Sequence, residues 1–90
     1  MSVKIYFASS LLSYVNNEKT VEVTGNTVSE CLNQLVKQFP AVEKMLFARK
    51  GRLLGHVGIY INGKDAYPKE LTKPVKDGDE LYVLHVYAGG

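Results

Sequence analysis

Three side chains in this sequence could bind a transition metal or act as a nucleophile, but their spacing supports neither chemistry. Cys31 is the only cysteine, which excludes an internal disulfide framework and a multi-thiolate zinc site. It falls on an apolar stripe of helical period, so we expect a buried and chemically idle thiol. His56 and His85 are the only histidines, and no ligand spacing surrounds them. We therefore expect no metal site, and a core or edge position for both histidines.

The charged residues do not suggest an enzyme site either. Asp77 and Asp79 flank a glycine and are typical of a turn. The run Arg49-Lys50-Gly51-Arg52 could contact RNA or an acidic partner, although a solvated loop is the favoured interpretation. No nucleophile–base pair, phosphate-binding glycine loop or paired-carboxylate pattern is visible. We therefore expect a protein that is not itself an enzyme.

The remaining residues with chemical potential are the last three, Ala88-Gly89-Gly90. Two glycines follow an apolar segment, and average glycine usage gives such an ending only about once in 200 chains. A frayed end is the alternative interpretation. Because glycine has no Cβ and an unrestricted φ angle, such a tail could thread a narrow channel in a partner protein.

The elements that must position this tail are predicted by the periodicity of the apolar residues. Alternation predicts strands over residues 3–7 and 19–23, and their short separation predicts a hairpin. Thr27 and Glu30 then form a capping box, and Pro40 stops the helix that follows. The apolar stripe of this helix consists of Val28, Cys31, Leu32, Leu35, Val36 and Phe39.

The second half of the chain predicts three further strands. Residues 56–61 alternate and end at Asn62-Gly63, the strongest turn dipeptide in the sequence. Residues 65–67 predict a short edge strand, and residues 81–87 are apolar, as expected of a central strand covered on both faces. Residues 41–54 predict a short second helix followed by an exposed loop.

Length and composition place these elements in one domain spanning residues 1–90. A hydrophobic content of 46% and a charged content of 22% are ordinary for a globular protein. The net charge of +2 is spread along the chain, so it indicates neither a nucleic-acid nor a membrane partner. No apolar run approaches the ~20 residues that span a bilayer, and no secretory signal is visible, so we expect a cytoplasmic protein.

The order of these elements predicts a two-layer α+β domain, and several segments together resemble one family, the ubiquitin-like β-grasp sulfur carriers. These segments are Ile59-Tyr60-Ile61-Asn62-Gly63, Asp77-Gly78-Asp79-Glu80 and Ala88-Gly89-Gly90. The family includes the small subunit of molybdopterin synthase and the sulfur carrier of thiamine synthesis. The resemblance covers the whole chain. It implies a mixed sheet of four to five strands, with the first and last strands at its centre and one main helix packed on one face.

The resemblance also implies a chemistry for the tail. A partner E1-like enzyme would use ATP to adenylate the Gly90 carboxylate, and a sulfur donor protein would supply sulfur to form a thiocarboxylate for an acceptor synthase. Gly89 and Ala88 would thread the partner's active site, on a tail that is flexible from about residue 86. The carrier would bind no cofactor or metal of its own, and the molybdopterin, thiamine and cysteine or methionine pathways stay open. Alternatively, a lysine amine could attack the same adenylate, which would make the protein a ubiquitin-like modifier.

Strand alternation predicts a second functional feature, an open face of the sheet. If Leu81 and Val83 face the helix, aromatic and aliphatic side chains share the opposite face, and such a patch marks a partner surface. The alternative is that residues 41–54 fold over part of this face. The predicted partner-interface residues are Tyr6, Tyr60, Tyr82, Leu84 and Val86.

Overall fold

Residues 2–49 and 51–85 are described by the computed structural model. The strands in this part are β1 (Val3–Phe7), β2 (Thr20–Val23), β3 (Phe47–Arg49), β4 (Arg52–Leu53), β5 (Val57–Ile61), β6 (Lys64–Asp65) and β7 (Glu80–His85). The helices are α1 (Val28–Gln38) and α2 (Glu43–Leu46), with 3-10 segments at Ser9–Val15, Pro40–Val42 and Glu70–Thr72. The predicted tail, from about residue 86, lies outside the described residues.

Five strands form one mixed sheet in the order β2-β1-β7-β5-β6. The two central strands, β1 and β7, run parallel, and the other neighbours are antiparallel. Ile5 pairs with Leu81 across this central contact, and both side chains are fully buried. The predicted hairpin of the first two strands and the central position of the first and last strands are therefore confirmed.

The predicted helix is also confirmed. The Thr27 hydroxyl accepts a hydrogen bond from the Glu30 backbone N–H at 3.2 Å, which caps the first turn. The Glu30 carboxylate reaches one residue further back than in a standard capping box and accepts from the Asn26 N–H at 2.7 Å. The stripe packs on the core as its spacing requires: Val28, Cys31, Leu32 and Leu35 are fully buried, and Val36 and Phe39 are half-buried.

The predicted edge strand at residues 65–67 is wrong in its bounds, and the turn at Asn62-Gly63 explains why. Both turn residues have positive φ angles, 51° and 86°, as a two-residue hairpin of the primed type requires. Ile61 therefore pairs directly with Lys64, and the edge strand β6 occupies residues 64–65. Ala66, which was expected within the strand, follows it as a buried residue.

Two connecting segments are more ordered than the sequence predicted. Residues 9–15 form a 3-10 segment that buries Leu11 and Val15 completely. Arg49 and Arg52, which bound the predicted loop, instead pair across the β3–β4 hairpin, and Gly51 has a φ angle of +76°. Phe47 and Leu53 pair across this hairpin and pack against the core, which explains why the segment does not remain a free loop.

The expectation that the last strand is covered on both faces is wrong. Leu81 and Val83 point toward the helix and are fully buried. Tyr82 and Leu84 alternate with them and are only half-buried. The apolar sequence of β7 therefore reflects one core face and one face that is partly open to solvent.

A polar network fixes the start of β7 against the end of β5. The Asp79 carboxylate accepts hydrogen bonds from the Asn62 side-chain amide at 3.0 Å and from the Lys76 backbone N–H at 2.9 Å. The Asn62 side-chain oxygen in turn accepts from the Glu80 N–H at 3.0 Å. Asp79 is only 8% exposed, and the Asn62 amide is the largest of the influences that lower its pKa. Two of the three segments that carry the family resemblance, residues 59–63 and 77–80, are therefore joined by hydrogen bonds.

We expect Asp79 to make the fold sensitive to acid. Because its folded pKa lies below the unfolded value, its stabilisation is present above the ordinary Asp pKa of about 3.9 and is lost as the pH falls through the folded pKa. Asp79→Asn should lower the free energy of unfolding at pH 7 by about 1–3 kcal/mol and flatten its decline in acid. Urea unfolding between pH 7 and pH 2 measures both effects.

The matched control is Glu22→Gln, which removes an exposed carboxylate from β2. It should leave the acid dependence of wild type in place. An Asp79→Asn variant with the stability and acid profile of wild type would contradict the role assigned to this network.

Candidate functional site

Three tyrosines form one row across the middle of the sheet. Tyr6 on β1 lies opposite Tyr82 on β7, and Tyr82 lies opposite Tyr60 on β5. Residues in register on adjacent strands point to the same face, so the three rings share the face away from α1. Leu84 lies two residues beyond Tyr82 and shares that face. We call this surface, formed by Tyr6, Tyr60, Tyr82 and Leu84, the tyrosine face; all four side chains are half-buried.

The tyrosine row is ordered by contacts among its own members. The rings of Tyr6 and Tyr82 stack with centroids 4.6 Å apart and planes 10° from parallel. The Tyr6 hydroxyl donates a hydrogen bond to the Glu80 carboxylate at 3.1 Å. That bond, with partial burial and the negative charge of Glu80, raises the pKa of Tyr6. The stack and the hydrogen bond together hold the Tyr6 ring in one orientation.

The tyrosine face is polar at one end and apolar at the other. Lys4 lies opposite both Glu22 and Glu80 at the end where β7 begins. Leu84 lies opposite Gly58 at the end where β7 finishes. The apolar end of the face is therefore also the end from which the chain continues toward residues 86–90.

Residues 41–54, the predicted alternative cover, divide between the core and one border of the face. Val42 and Leu46 are fully buried in the core that α1 completes. Leu53 and Leu54, in contrast, line a groove together with Tyr60. The segment thus borders the Tyr60 end of the tyrosine face.

The end of β7 is held by neighbours on two sides. His85 pairs with Val57 on β5, and its Nδ1 atom lies 2.9 Å from the Ser10 Oγ atom, within hydrogen-bond distance. The His56 and His85 rings meet edge to face with centroids 5.0 Å apart. These contacts fix the point from which residues 86–90 continue. Val86, Ala88, Gly89 and Gly90, all predicted site residues, lie outside the described part of the chain.

Comparison with known proteins identifies the family. The sequence model of the ThiS family matches residues 5–90. The chain belongs to the ThiS family. Its members are ubiquitin-like β-grasp sulfur carriers, so both the predicted resemblance and the predicted fold are confirmed.

Individual relatives agree with this assignment. Small archaeal modifier protein 1 of Haloferax volcanii is 37% identical over 71 residues, which are 78% of this chain and 78% of that protein. A crystal structure of SAMP1 from Haloferax volcanii matches with a TM-score of 0.85 and 29% identity and covers 100% of both chains. A chain of the Amycolatopsis orientalis BexX/CysO complex matches with a TM-score of 0.85 and 28% identity, over 98% of this chain and 99% of that one.

The polar network of this ThiS-family chain contains site residues that sequence reasoning missed. Residue type alone predicts only a turn position for Asp79 and for Asn62. The structure shows that each also orients the other's strand, since Asn62 bonds both Asp79 and the backbone of Glu80. Glu80 in turn accepts the Tyr6 hydrogen bond. The 17-residue separation between Asn62 and Asp79 gave no periodic pattern that could have revealed the contact.

The one cysteine of this ThiS-family chain lies away from the tyrosine face. Cys31 is fully buried on the core side of α1, and desolvation, with the charges of Glu30 and Asp79, raises the pKa of its thiol to about 11. Among residues 2–49 and 51–85, no three His, Cys, Asp or Glu side chains are grouped so that they could hold a metal ion. No helix in this part of the chain is long and apolar enough to cross a membrane.

We expect the Cys31 thiol to be unreactive in the folded protein. Both its burial and its raised pKa disfavour the thiolate, which is the reactive species. A bulky aromatic disulfide reagent should label Cys31 only on the timescale of unfolding, and labelling should become fast in urea.

Cys31→Ala is the matched variant, since it keeps a small side chain in the core. It should retain full carrier activity. Fast labelling of the native thiol, or loss of carrier activity in a folded Cys31→Ala protein, would contradict this prediction.

Proposed function

We propose that this protein carries sulfur as a thiocarboxylate on Gly90 and is a substrate of its partner enzymes rather than an enzyme itself. The observation that carries this proposal is the match to the ThiS family, which extends over residues 5–90 and so includes both terminal glycines. The position of β7 supports it further. The strand that precedes residues 86–90, β7, lies at the centre of the sheet between β1 and β5.

The proposed chemistry proceeds in two steps that an E1-like partner catalyses. An oxygen of the Gly90 carboxylate attacks the α-phosphorus of ATP, which forms an acyl-adenylate and releases pyrophosphate. Hydrogen sulfide then attacks the acyl carbon and expels AMP; a donor-protein persulfide would do so through an acyl disulfide, which a second thiol of the partner proteins must cleave to release the thiocarboxylate. The resulting thiocarboxylate donates its sulfur to the substrate of an acceptor synthase. This chain supplies the carboxylate, and ATP is bound by its partner.

The tyrosine face is the surface proposed to dock the E1-like enzyme. Its three rings are held in a row by strand register and by the Tyr6–Tyr82 stack, so little side-chain entropy is lost on binding. Its apolar end lies beside the end of β7. A partner that covers Leu84 therefore also holds the start of the tail, and both can be recognised in one encounter.

A second candidate function is conjugation to other proteins. The SAMP1 relative is named a modifier protein, and it is 37% identical over 78% of this chain. The same adenylate would then be attacked by a lysine amine, which forms an isopeptide bond and releases AMP. The two functions share the activation step and differ in the nucleophile that follows.

We expect activation to require Gly90 at the end of the chain. Deleting Gly90, or adding one alanine after it, should abolish adenylation because the acyl carbon would no longer occupy the same place in the partner's active site. Intact-mass analysis after incubation with the E1-like enzyme, ATP and sulfide should show one oxygen replaced by sulfur in wild type only.

The control for both tail variants is their urea midpoint, which should equal that of wild type because neither change touches the core. Equal activation of wild type and the Gly90 deletion would overturn the carrier proposal. Lysine-linked conjugates formed without any thiocarboxylate would favour the modifier function instead.

We expect Tyr82 to be the central anchor of the tyrosine face. Tyr82→Ala removes the ring between Tyr6 and Tyr60, and truncating a buried interface aromatic typically costs about 2 kcal/mol or more. The affinity for the E1-like enzyme should therefore fall at least about tenfold. Calorimetric titration of the enzyme with each variant measures this change.

Tyr14→Ala is the matched control, because it removes a partly exposed ring from the 3-10 segment Ser9–Val15. Its affinity should equal that of wild type. If Tyr82→Ala and Tyr14→Ala bind equally well, the docking surface lies elsewhere.

A further inference from the structure

The two residues of the β5–β6 turn, Asn62 and Gly63, are each required by a different feature of the structure. Gly63 has a φ angle of +86°, and a Cβ there would meet no heavy atom within 4 Å, so conformation rather than crowding requires glycine. Asn62 has a φ angle of 51°, which asparagine and aspartate both tolerate. The backbone alone would therefore accept either residue type at position 62.

The hydrogen bonds of the Asn62 side chain require asparagine rather than aspartate. Its amide nitrogen donates to the Asp79 carboxylate at 3.0 Å, and its oxygen accepts from the Glu80 backbone N–H at 3.0 Å. An aspartate at this position would have no N–H to donate and would place a second carboxylate beside Asp79, which is only 8% exposed. The polar network therefore requires an asparagine directly before the glycine that the turn requires.

An asparagine followed by glycine is especially prone to deamidation, because no side chain on the second residue hinders attack by its backbone nitrogen. Here the Gly63 nitrogen would attack the Asn62 Cγ atom, expel ammonia and form a succinimide. Water would then open the ring at Cγ to give aspartate, or at the Asn62 backbone carbonyl carbon to give isoaspartate. Asn62 and Gly63 are both exposed, so water reaches the turn. Of the five asparagines in the sequence, only Asn62 precedes a glycine.

The polar network opposes this reaction in the folded protein. Cyclisation requires the Asn62 side chain to rotate until its Cγ atom meets the Gly63 nitrogen. Both polar atoms of the side chain are already bonded, and the Asn62 backbone N–H also donates to the Glu80 carbonyl at 2.8 Å. The side chain cannot rotate freely until the bonds to Asp79 and Glu80 break. The reaction must therefore wait for a local opening at this end of the hairpin.

We propose that Asn62 is the deamidation site of this protein, that the polar network sets its rate, and that the product releases the start of β7. The aspartate product replaces the amide donor with a carboxylate that repels Asp79. The isoaspartate product lengthens by one carbon atom the backbone of a two-residue turn between paired Ile61 and Lys64. An opening that is normally reversible thus becomes permanent. This site goes beyond the proposed function, since it involves neither Gly90 nor a partner enzyme.

The first test compares three samples in mildly alkaline buffer: the folded full-length protein, the same protein unfolded in urea, and a blocked peptide with the sequence of residues 60–64. Intact-mass analysis follows the replacement of an NH group by oxygen, and peptide mapping assigns the position. Because two side-chain hydrogen bonds must break, the folded protein should react about tenfold or more slowly than the peptide. Unfolding in urea should remove this difference.

The second test removes one partner from the polar network. Asp79→Ala deletes the acceptor of the Asn62 amide, so its reaction rate should rise toward that of the peptide. The matched control is Thr27→Ala, which destabilises the fold by removing the cap of α1 and leaves the polar network intact. It should react as slowly as wild type. If Asp79→Ala does not fold, the comparison of folded wild type with the peptide and with the urea sample still decides whether the rate is limited by opening.

The third test examines the reacted protein. Each deamidated molecule carries one additional negative charge, so ion exchange separates it from the unreacted protein of the same incubation. Its urea midpoint should be lower, and the backbone resonances of Asp79 and Glu80 should shift while that of Leu35, within α1, stays in place. The Asp77-Gly78 pair can form the same imide, but hydrolysis of that imide restores the original mass, so the two sites are distinguishable.

Four results would overturn the proposal. The first is a folded protein that reacts as fast as the peptide, and the second is a folded Asp79→Ala variant that reacts as slowly as wild type. The third is a purified deamidated protein with the urea midpoint of the unreacted one. The fourth is modification that begins at an asparagine other than Asn62. Because the E1-like enzyme and Gly90 take no part, none of these results bears on the carrier function.

Discussion

The parallel pairing of β1 with β7 is the contact on which the rest of the structure depends. It joins the first and last strands of the chain at the centre of the sheet, with Ile5 opposite Leu81 and both fully buried. Parallel neighbours need a long crossover, and here the crossover carries β2, α1 and the β3–β4 and β5–β6 hairpins. Because the loop-closure entropy of that connection must be overcome, the core under α1 has to be large and well packed. The same pairing places the start of the tail at the middle of the sheet.

The register of β7 then decides which side chains a partner can meet. A slip of one residue would turn Tyr82 and Leu84 into the core and expose Leu81 and Val83. The polar network at Asn62 and Asp79 opposes such a slip, since its bonds reach from the β5 turn to the first residue of β7. The same end of β7 is tied to the amino terminus of the chain: the Gly78 N–H donates to the Ser2 carbonyl at 2.8 Å. Hydrogen bonds at the start of β7 thus hold the register that keeps Tyr82 and Leu84 on the tyrosine face.

Local sequence patterns predicted the structural features that depend only on residues close together along the chain. The capping box at Thr27 and the positive φ angles at Asn62-Gly63 are local, and both were recognisable from residue type. The β3–β4 hairpin was missed because its strands are only three and two residues long and are stabilised by packing of Phe47 and Leu53 on the core. Strand alternation alone put the tyrosines on one face, but the Tyr6–Glu80 bond depends on pairing over 74 residues, which no local pattern encodes.

The two faces of the sheet therefore differ in what a partner can reach, and the length of the tail limits where an enzyme that acts on Gly90 can bind. The face under α1 is closed, and its one thiol is held protonated by burial, so it offers no chemistry to a partner. The tyrosine face, in contrast, is partly open. Five residues follow His85, and a fully extended chain of that length spans about 17 Å at most. Any enzyme that acts on Gly90 must therefore place its reacting atoms within that distance of the end of β7. An enzyme that binds near Leu84 meets this requirement, whereas one bound only at the polar end, near Lys4, has to reach along the strand as well.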